Sequence, residues 1–202
     1  MNDFFREAIF LATIINPIAV FVYLAPVRQK LPERDFLRVL FMATLISMAI
    51  NMFFTITGEW IFRSVFKIDF NSFRIFGGIV LLSISLMSIV QGQKALISTR
   101  GSLDDIASEV AMPFMAGVGT ISVCILMGSK MGKLEAIGVN LVVAFAAFVI
   151  VAVLASIRYH LNNDITAVFD KVLAIMIRIN GFFMGAFGVD MVKTGIINII
   201  NQ

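Results

Sequence analysis

The sequence predicts an all-α integral membrane protein of six transmembrane helices, arranged as two inverted three-helix repeats with an interrupted first helix in each half. Three observations lead there. Apolar residues fill 59% of the 202 positions and charged residues 14%, against roughly 45–50% (glycine included) and 25% in a soluble domain; mean hydropathy is +0.96. The charges fall between uncharged runs of bilayer-spanning length. The first run of each half carries helix-breaking residues near its middle.

The uncharged runs define the spans. Residues 8–27 lie between Glu7 and Arg28, and 39–58 between Arg38 and Glu59. Residues 75–93 lie between Arg74 and Lys94, 110–129 between Glu109 and Lys130, and 136–157 between Glu135 and Arg158. At ~1.5 Å per residue, each crosses a ~30 Å hydrocarbon core as a helix. Strands of a membrane barrel would alternate apolar and polar over ~10 residues, and these runs are apolar on every face. The sixth run, 172–200, stays apolar but holds Arg178, Asp190 and Lys193, so it is expected to carry charge in or near the membrane. The first run lacks the basic flank and small-residue cleavage site of a signal peptide and is read as a retained span. Trp60 follows the second span, where an indole sits at the headgroups. The polar stretch 98–108, STRGSLDDIAS, separates a first repeat, 1–97, from a second, 109–202.

Composition also excludes function classes. No separate soluble domain fits beside six spans, so a globular enzyme core is ruled out. A zinc protease needs a motif such as HExxH, and His160 is the single histidine. An intramembrane aspartyl protease needs two deep acids, and Asp190 alone sits far inside a run. Cys124 is the single cysteine, which excludes an intrachain disulfide or a thiolate metal cluster. No enzymatic activity, metal or cofactor is expected. The net charge of +3 rests on basic residues between spans, which fits lipid headgroups rather than nucleic acid. Arg28, Lys30, Arg34 and Arg38 outnumber the Arg63–Lys67 and Lys130–Lys133 alternatives. Basic loops stay cytoplasmic, so the N-terminus is expected outside the cell membrane.

An internal repeat supports the two halves. Arg74-Ile75-Phe76-Gly77 matches Arg178-Ile179-Asn180-Gly181, and at the same offset of 104 Met87 matches Met191. Asn16-Pro17 interrupts the first run, and Gly117-Val118-Gly119, preceded by Pro113, interrupts the fourth. In lipid the freed backbone groups must be satisfied by protein or by a water-lined cavity, and paired interrupted helices are the sequence pointer to a transport site. With three spans per half, the second copy must lie upside down.

The candidate site follows. Asn16 can cap groups freed by Pro17 or coordinate a substrate. Gly117 and Gly119 let backbone amides approach a carboxylate at a helix start, and Thr120 adds a hydroxyl. Arg74 and Arg178 either snorkel to headgroups or form a gate with Asp69 or Asp170. Asp190 either pairs with Lys193 one helical turn on, or takes part in proton or cation coupling. Gly181, Gly185 and Gly188, with Gly77 and Gly78, form small-residue packing faces. Thr44, Ser47, Asn51 and Thr55 recur at helical spacing and suit an interior face. The fifth span is expected to be lipid-facing scaffold.

The runs INPIAVFVYLAP, FRIFGGIVLLSISLMSI, AMPFMAGVGTIS and IRINGFFMGAFGVDMVKTGI resemble the MarC family over essentially the whole chain. The resemblance implies a six-helix membrane protein without enzymatic activity, in a family that includes small neutral amino acid transporters. It implies a secondary carrier for glycine- or alanine-like substrates, coupled to protons or sodium; the alternative is an exporter of drugs or other metabolites. Association into a homo-oligomer is compatible with either. Relatives carry a glycine and a second proline after Asn-Pro, where this chain has Ala19 and Val22. The family's Gly-Pro-Gly reads Gly117-Val118-Gly119, and a common Gln is replaced by Asp190. The helix breaks are therefore milder here.

Overall fold

The computed structural model describes residues 3–91, 107, 115–161 and 163–201. Pro113 and the connector 98–108, apart from residue 107, lie outside the described residues. The described elements are helical throughout. Helices α1 (Asp3–Ile15), α2 (Pro17–Tyr23) and α3 (Ala25–Lys30) follow one another along a broken first span. Helix α4 (Glu33–Thr57) leads into a π-helical turn (Ile61–Phe66) and α5 (Phe70–Gln91). Then come α6 (Val118–Lys130), α7 (Lys133–His160) and α8 (Asn163–Ile200).

Among the described residues, five segments are long and apolar enough to cross a membrane: Asp3–Lys30, Glu33–Thr57, Phe70–Val90, Lys133–His160 and Ile165–Ile200. The fourth expected span differs. Its described part is α6, with 13 residues, or about 20 Å, because Gly117 takes an extended backbone and the helix starts only at Val118. Residues 110–114 lie outside the described set.

Local chemistry sets the ends. Pro17 stands first in α2, where its missing N–H costs nothing. Gly58 ends α4 at φ 58°, a conformation glycine reaches without strain. Acidic Glu33 and Asp35 open α4, and Arg158 stands near the end of α7, each charge complementing the helix dipole.

Helices α4 and α7 bury the same register. Positions 36, 39, 40, 43, 44, 47, 51 and 55 of α4 are buried, and so are the positions 100 residues later on α7. The two run antiparallel, as Phe36 meets Tyr159, Phe41 meets Phe148 and Thr55 meets Asn140. Helix α7 thus adds one buried stripe to the lipid-facing surface expected of it. It buries Asn140, a polar residue that needs partners.

Helices α5 and α8 also run antiparallel, at backbone contact. A Cβ on Gly78 would stand 2.6 Å from Gly188 O, and one on Gly188 would stand 2.7 Å from Gly78 O. Ser85 Oγ donates to Gly181 O at 2.6 Å. Buried positions 70, 74, 78, 81, 85 and 88 have buried counterparts at 173, 177, 181, 184, 188 and 191, an offset of 103, whereas buried positions 71 and 77 have none. The offset of 104 read from the letters instead pairs buried Arg74 with exposed Arg178. It matched Arg-Ile-x-Gly by identity, whereas the buried stripe sets Arg74 against Ile177 and leaves Arg178 exposed. Helices α4 and α6 run parallel: Asn51 bonds Met115 O, and further along Gly128 packs on Thr55 O.

Gly78→Ala is expected to lower stability by roughly 1–3 kcal/mol, the usual cost of forcing bulk into a filled contact. Gly132→Ala, with nothing within 4 Å of the added carbon, should not. Thermal unfolding of both variants in the same detergent checks the pair.

Candidate functional site

At the first break, Asn16 adopts the left-handed conformation, φ 49° and ψ 75°. Its N–H donates to Ala12 O at 2.9 Å, closing α1, and its Oδ1 accepts from Ala19 N at 3.2 Å, capping α2. Asparagine suits both tasks, since it tolerates this region better than other non-glycine residues and is a strong N-cap.

At the second break the cap is bare. Gly117 is extended at φ −74° and ψ 170°, with no side-chain hydrogen bond. Ile121 N donates to Gly117 O at 2.9 Å, so the N–H groups of Val118, Gly119 and Thr120 have no acceptor within α6. Just before the break, Asn51 Nδ2 donates to Met115 O at 3.3 Å and holds that strand of backbone against α4.

The two breaks face one cavity of about 330 Å³. Its walls are Ile14, Ile15, Asn16, Ala19, Val20 and Tyr23 from the first span, Ala116–Ile121 from the second break, Val80, Leu81 and Ile84 from α5, and Met184 from α8. None of these lining residues is charged. Tyr23 Oη and Ser88 Oγ stand 2.7 Å apart, and Ser88 donates to Ile84 O, so the phenol donates and ties α2 to α5.

The structure brings Asn16, Gly117, Gly119 and Thr120 together in this lining, with Pro17 adjacent but outside it. Gly119 serves packing as well: a Cβ there would stand 2.6 Å from Leu81 Cδ1. The charged candidates lie elsewhere. Arg74 is buried over the ring of Phe70, 5.4 Å from its centroid. Arg178 is exposed on α8, and Asp170 pairs with Arg158 at 3.3 Å. Asp190 pairs with Lys193 at 3.1 Å on the outer face of α8, each side chain about two-thirds exposed (66% and 64%).

Tyr23, Leu81, Met184 and Asn140 are missed by the sequence reading. Tyr23 lies in the INPIAVFVYLAP run and is one of two tyrosines, which is a usable signal. Asn140 is an isolated amide in an apolar run, and such residues face the bundle interior. It donates to Thr55 Oγ1 at 3.1 Å and to Ala136 O at 2.9 Å, and accepts from Cys124 Sγ at 3.3 Å. Thr55 in turn donates to Asn51 O at 2.8 Å. A polar chain therefore runs from α7 through α4 to the backbone at the second break. Leu81 and Met184 carry no sequence signal, being ordinary membrane residues until the helices cross.

The sequence pattern of the MarC family integral membrane proteins matches residues 1–200. The chain belongs to the MarC family. Its relatives include a UPF0056 membrane protein of Pyrococcus horikoshii, 26% identical over 196 residues, covering 96% of this chain and 94% of the relative. A UPF0056 membrane protein of Methanocaldococcus jannaschii is 29% identical over 197 residues, covering 91% of each. One of Aquifex aeolicus is 24% identical over 210 residues, covering 98% and 94%. No solved structure matches significantly.

Asn16→Ala is expected to cost about 2 kcal/mol, near 1 for the lost cap and near 1 for the left-handed backbone. Asn16→Gly, which keeps the backbone free, should cost less than half of that. Unfolding midpoints in nanodiscs measure the difference.

Proposed function

We propose that this MarC-family protein is a secondary carrier of small neutral amino acids, of the glycine and alanine class, with the cavity between the two breaks as its site. Transport is coupled to protons or sodium and proceeds by alternating access. The observation that carries the reading is that both interrupted helices line one cavity whose described lining is uncharged. Interrupted helices meeting at a buried site are the working part of many carriers.

The repeat relation adds support. Lining residues pair at a constant spacing of 101 positions: Ile15 with Ala116, Asn16 with Gly117, Ala19 with Thr120, and Val20 with Ile121. Leu81 and Met184, also in the lining, stand at the 103-residue offset of the α5 and α8 burial register. Antiparallel pairing of α4 with α7 and of α5 with α8 is what an inverted repeat requires. We read the chain as six membrane-crossing elements in two inverted halves, with the cavity on their shared axis. The basic end carrying Arg28, Lys30, Arg34 and Arg38 is placed in the cytoplasm and the N-terminus outside the cell membrane.

The chemistry follows from the walls. N–H groups at the start of α6 that have no acceptor within the helix, together with the helix dipole, suit a carboxylate. The Thr120 hydroxyl and Asn16 amide add neutral polar contacts. Ala19, Val20, Leu81, Ile84 and Met184 then face a substrate side chain that is small and apolar. Tyr23 is the sole aromatic among the described lining residues, which favours a compact zwitterion over the aromatic drugs of the alternative reading.

Proteoliposomes of the purified protein should show saturable, exchangeable uptake of glycine or alanine. Absence of uptake and exchange for every small neutral amino acid, with the protein folded, overturns the proposal. Thr120→Val should raise KM about fivefold, the worth of one hydrogen bond near 1 kcal/mol, with the unfolding midpoint unchanged.

A further inference from the structure

We propose that the outer face of α8 is a two-fold interface with a second copy of this chain, across which Asp190 pairs with the partner's Lys193 and Lys193 with the partner's Asp190. The proposal stands independently of the substrate reading.

Depth makes the pair anomalous. Gly78 opposes Gly188 across the antiparallel α5–α8 contact, so Asp190, two positions further on, lies level with Phe76. The centre of Phe70–Gln91 falls between Val80 and Leu81. Asp190 is then about 7 Å from the mid-plane of that span, well inside a hydrocarbon core whose half-thickness is about 15 Å. Asp190 at that depth, and Lys193 at about 11 Å from the mid-plane, face lipid in a single copy, an environment in which ionisable side chains are costly and normally turn inward.

The pattern of the face names its occupant. Exposed residues Ile179, Phe183, Ala186, Asp190, Lys193 and Ile197 follow one another at alternating spacings of four and three, the seam along which two helices interlock. The charged step in this seam is its own complement. A two-fold axis along the membrane normal keeps both helices parallel and at one depth. It sets each aspartate one helical turn from the partner's lysine, and the two intrahelical pairs of 3.1 Å become a closed ring of four alternating charges. An unrelated partner would need a matching dyad; a second copy supplies it by symmetry.

The test uses the full chain in native-like membranes. Ala186→Cys should form an oxidative cross-linked dimer, because Ala186 lies on the seam. Phe145→Cys, equally lipid-facing on α7 at 69% exposure, should cross-link no more than the wild type, whose Cys124 is buried. Absence of the Ala186→Cys dimer, or equal cross-linking at both sites, overturns the proposal. Asp190→Lys and Lys193→Asp should each weaken self-association at least about tenfold. When co-expressed with different tags, the two variants should recover a mixed dimer. Single variants that dimerise like the wild type, or folded variants that fail to recover each other, overturn it as well.

Discussion

Everything in this protein answers to one constraint: inside hydrocarbon, a backbone N–H or C=O must find its partner within the protein. An unbroken helix meets that requirement alone. The first span does not, because Pro17 withholds a donor, and neither does the stretch ahead of α6, where Gly117 is extended. Both breaks must therefore be enclosed, and the rest of the bundle encloses them. The two solutions differ. Asn16 closes the first break with its own backbone and side chain, whereas the second is held from outside by Asn51 and leaves three amides at the start of α6 without an intrahelical acceptor. The cavity is thus chemically lopsided, and its amide-rich side is the one suited to an anion.

Two kinds of contact hold the enclosure. Helices α5 and α8 meet through Gly78 and Gly188 at a distance that admits no Cβ, gaining dispersion contacts where apolar burial between helices has little driving force. Their crossing puts Leu81 and Met184 on the cavity wall. Helices α4 and α7 meet through aromatic pairs and through a polar chain, Asn140–Thr55–Asn51, that ends on Met115 O. Amides and hydroxyls buried in this way are costly unless paired; these bonds fix one register, although Asn51 Oδ1 has no partner among the described residues. The small-residue contact sets how closely the helices approach, and the amide chain sets where along their length they lock.

Charge is distributed by the same economy. The described cavity lining is neutral, Arg74 spreads its charge over the Phe70 ring, and Arg158 and Asp170 neutralise one another near a helix end. The Asp190–Lys193 pair stands apart by facing outward within the span. It is a feature of the outer surface, and it bears on what surrounds the bundle rather than on what enters it.

Sequence alone determined the class of the protein, because runs of about 20 uncharged residues can satisfy their backbone in lipid in one way only. It also determined where that way fails, since proline and glycine act on their own helix regardless of neighbours; hence Asn16, Pro17, Gly117, Gly119 and Thr120 were legible as a group. Local letters misled where the question was which face of a helix turns inward. Arg74 and Arg178 share a motif, yet one is buried and the other exposed, because the inward face is chosen by the partner helix and not by the motif. Asn140 was legible as an oddity but not as a hub, for its partners come from α4 and α6. Leu81 and Met184 were not legible at all: a leucine and a methionine in a membrane helix carry no mark of the crossing that puts them on a cavity wall. That the two breaks share one cavity was decided by tertiary structure, since residues about 100 positions apart meet only once α5 and α8 have closed on each other.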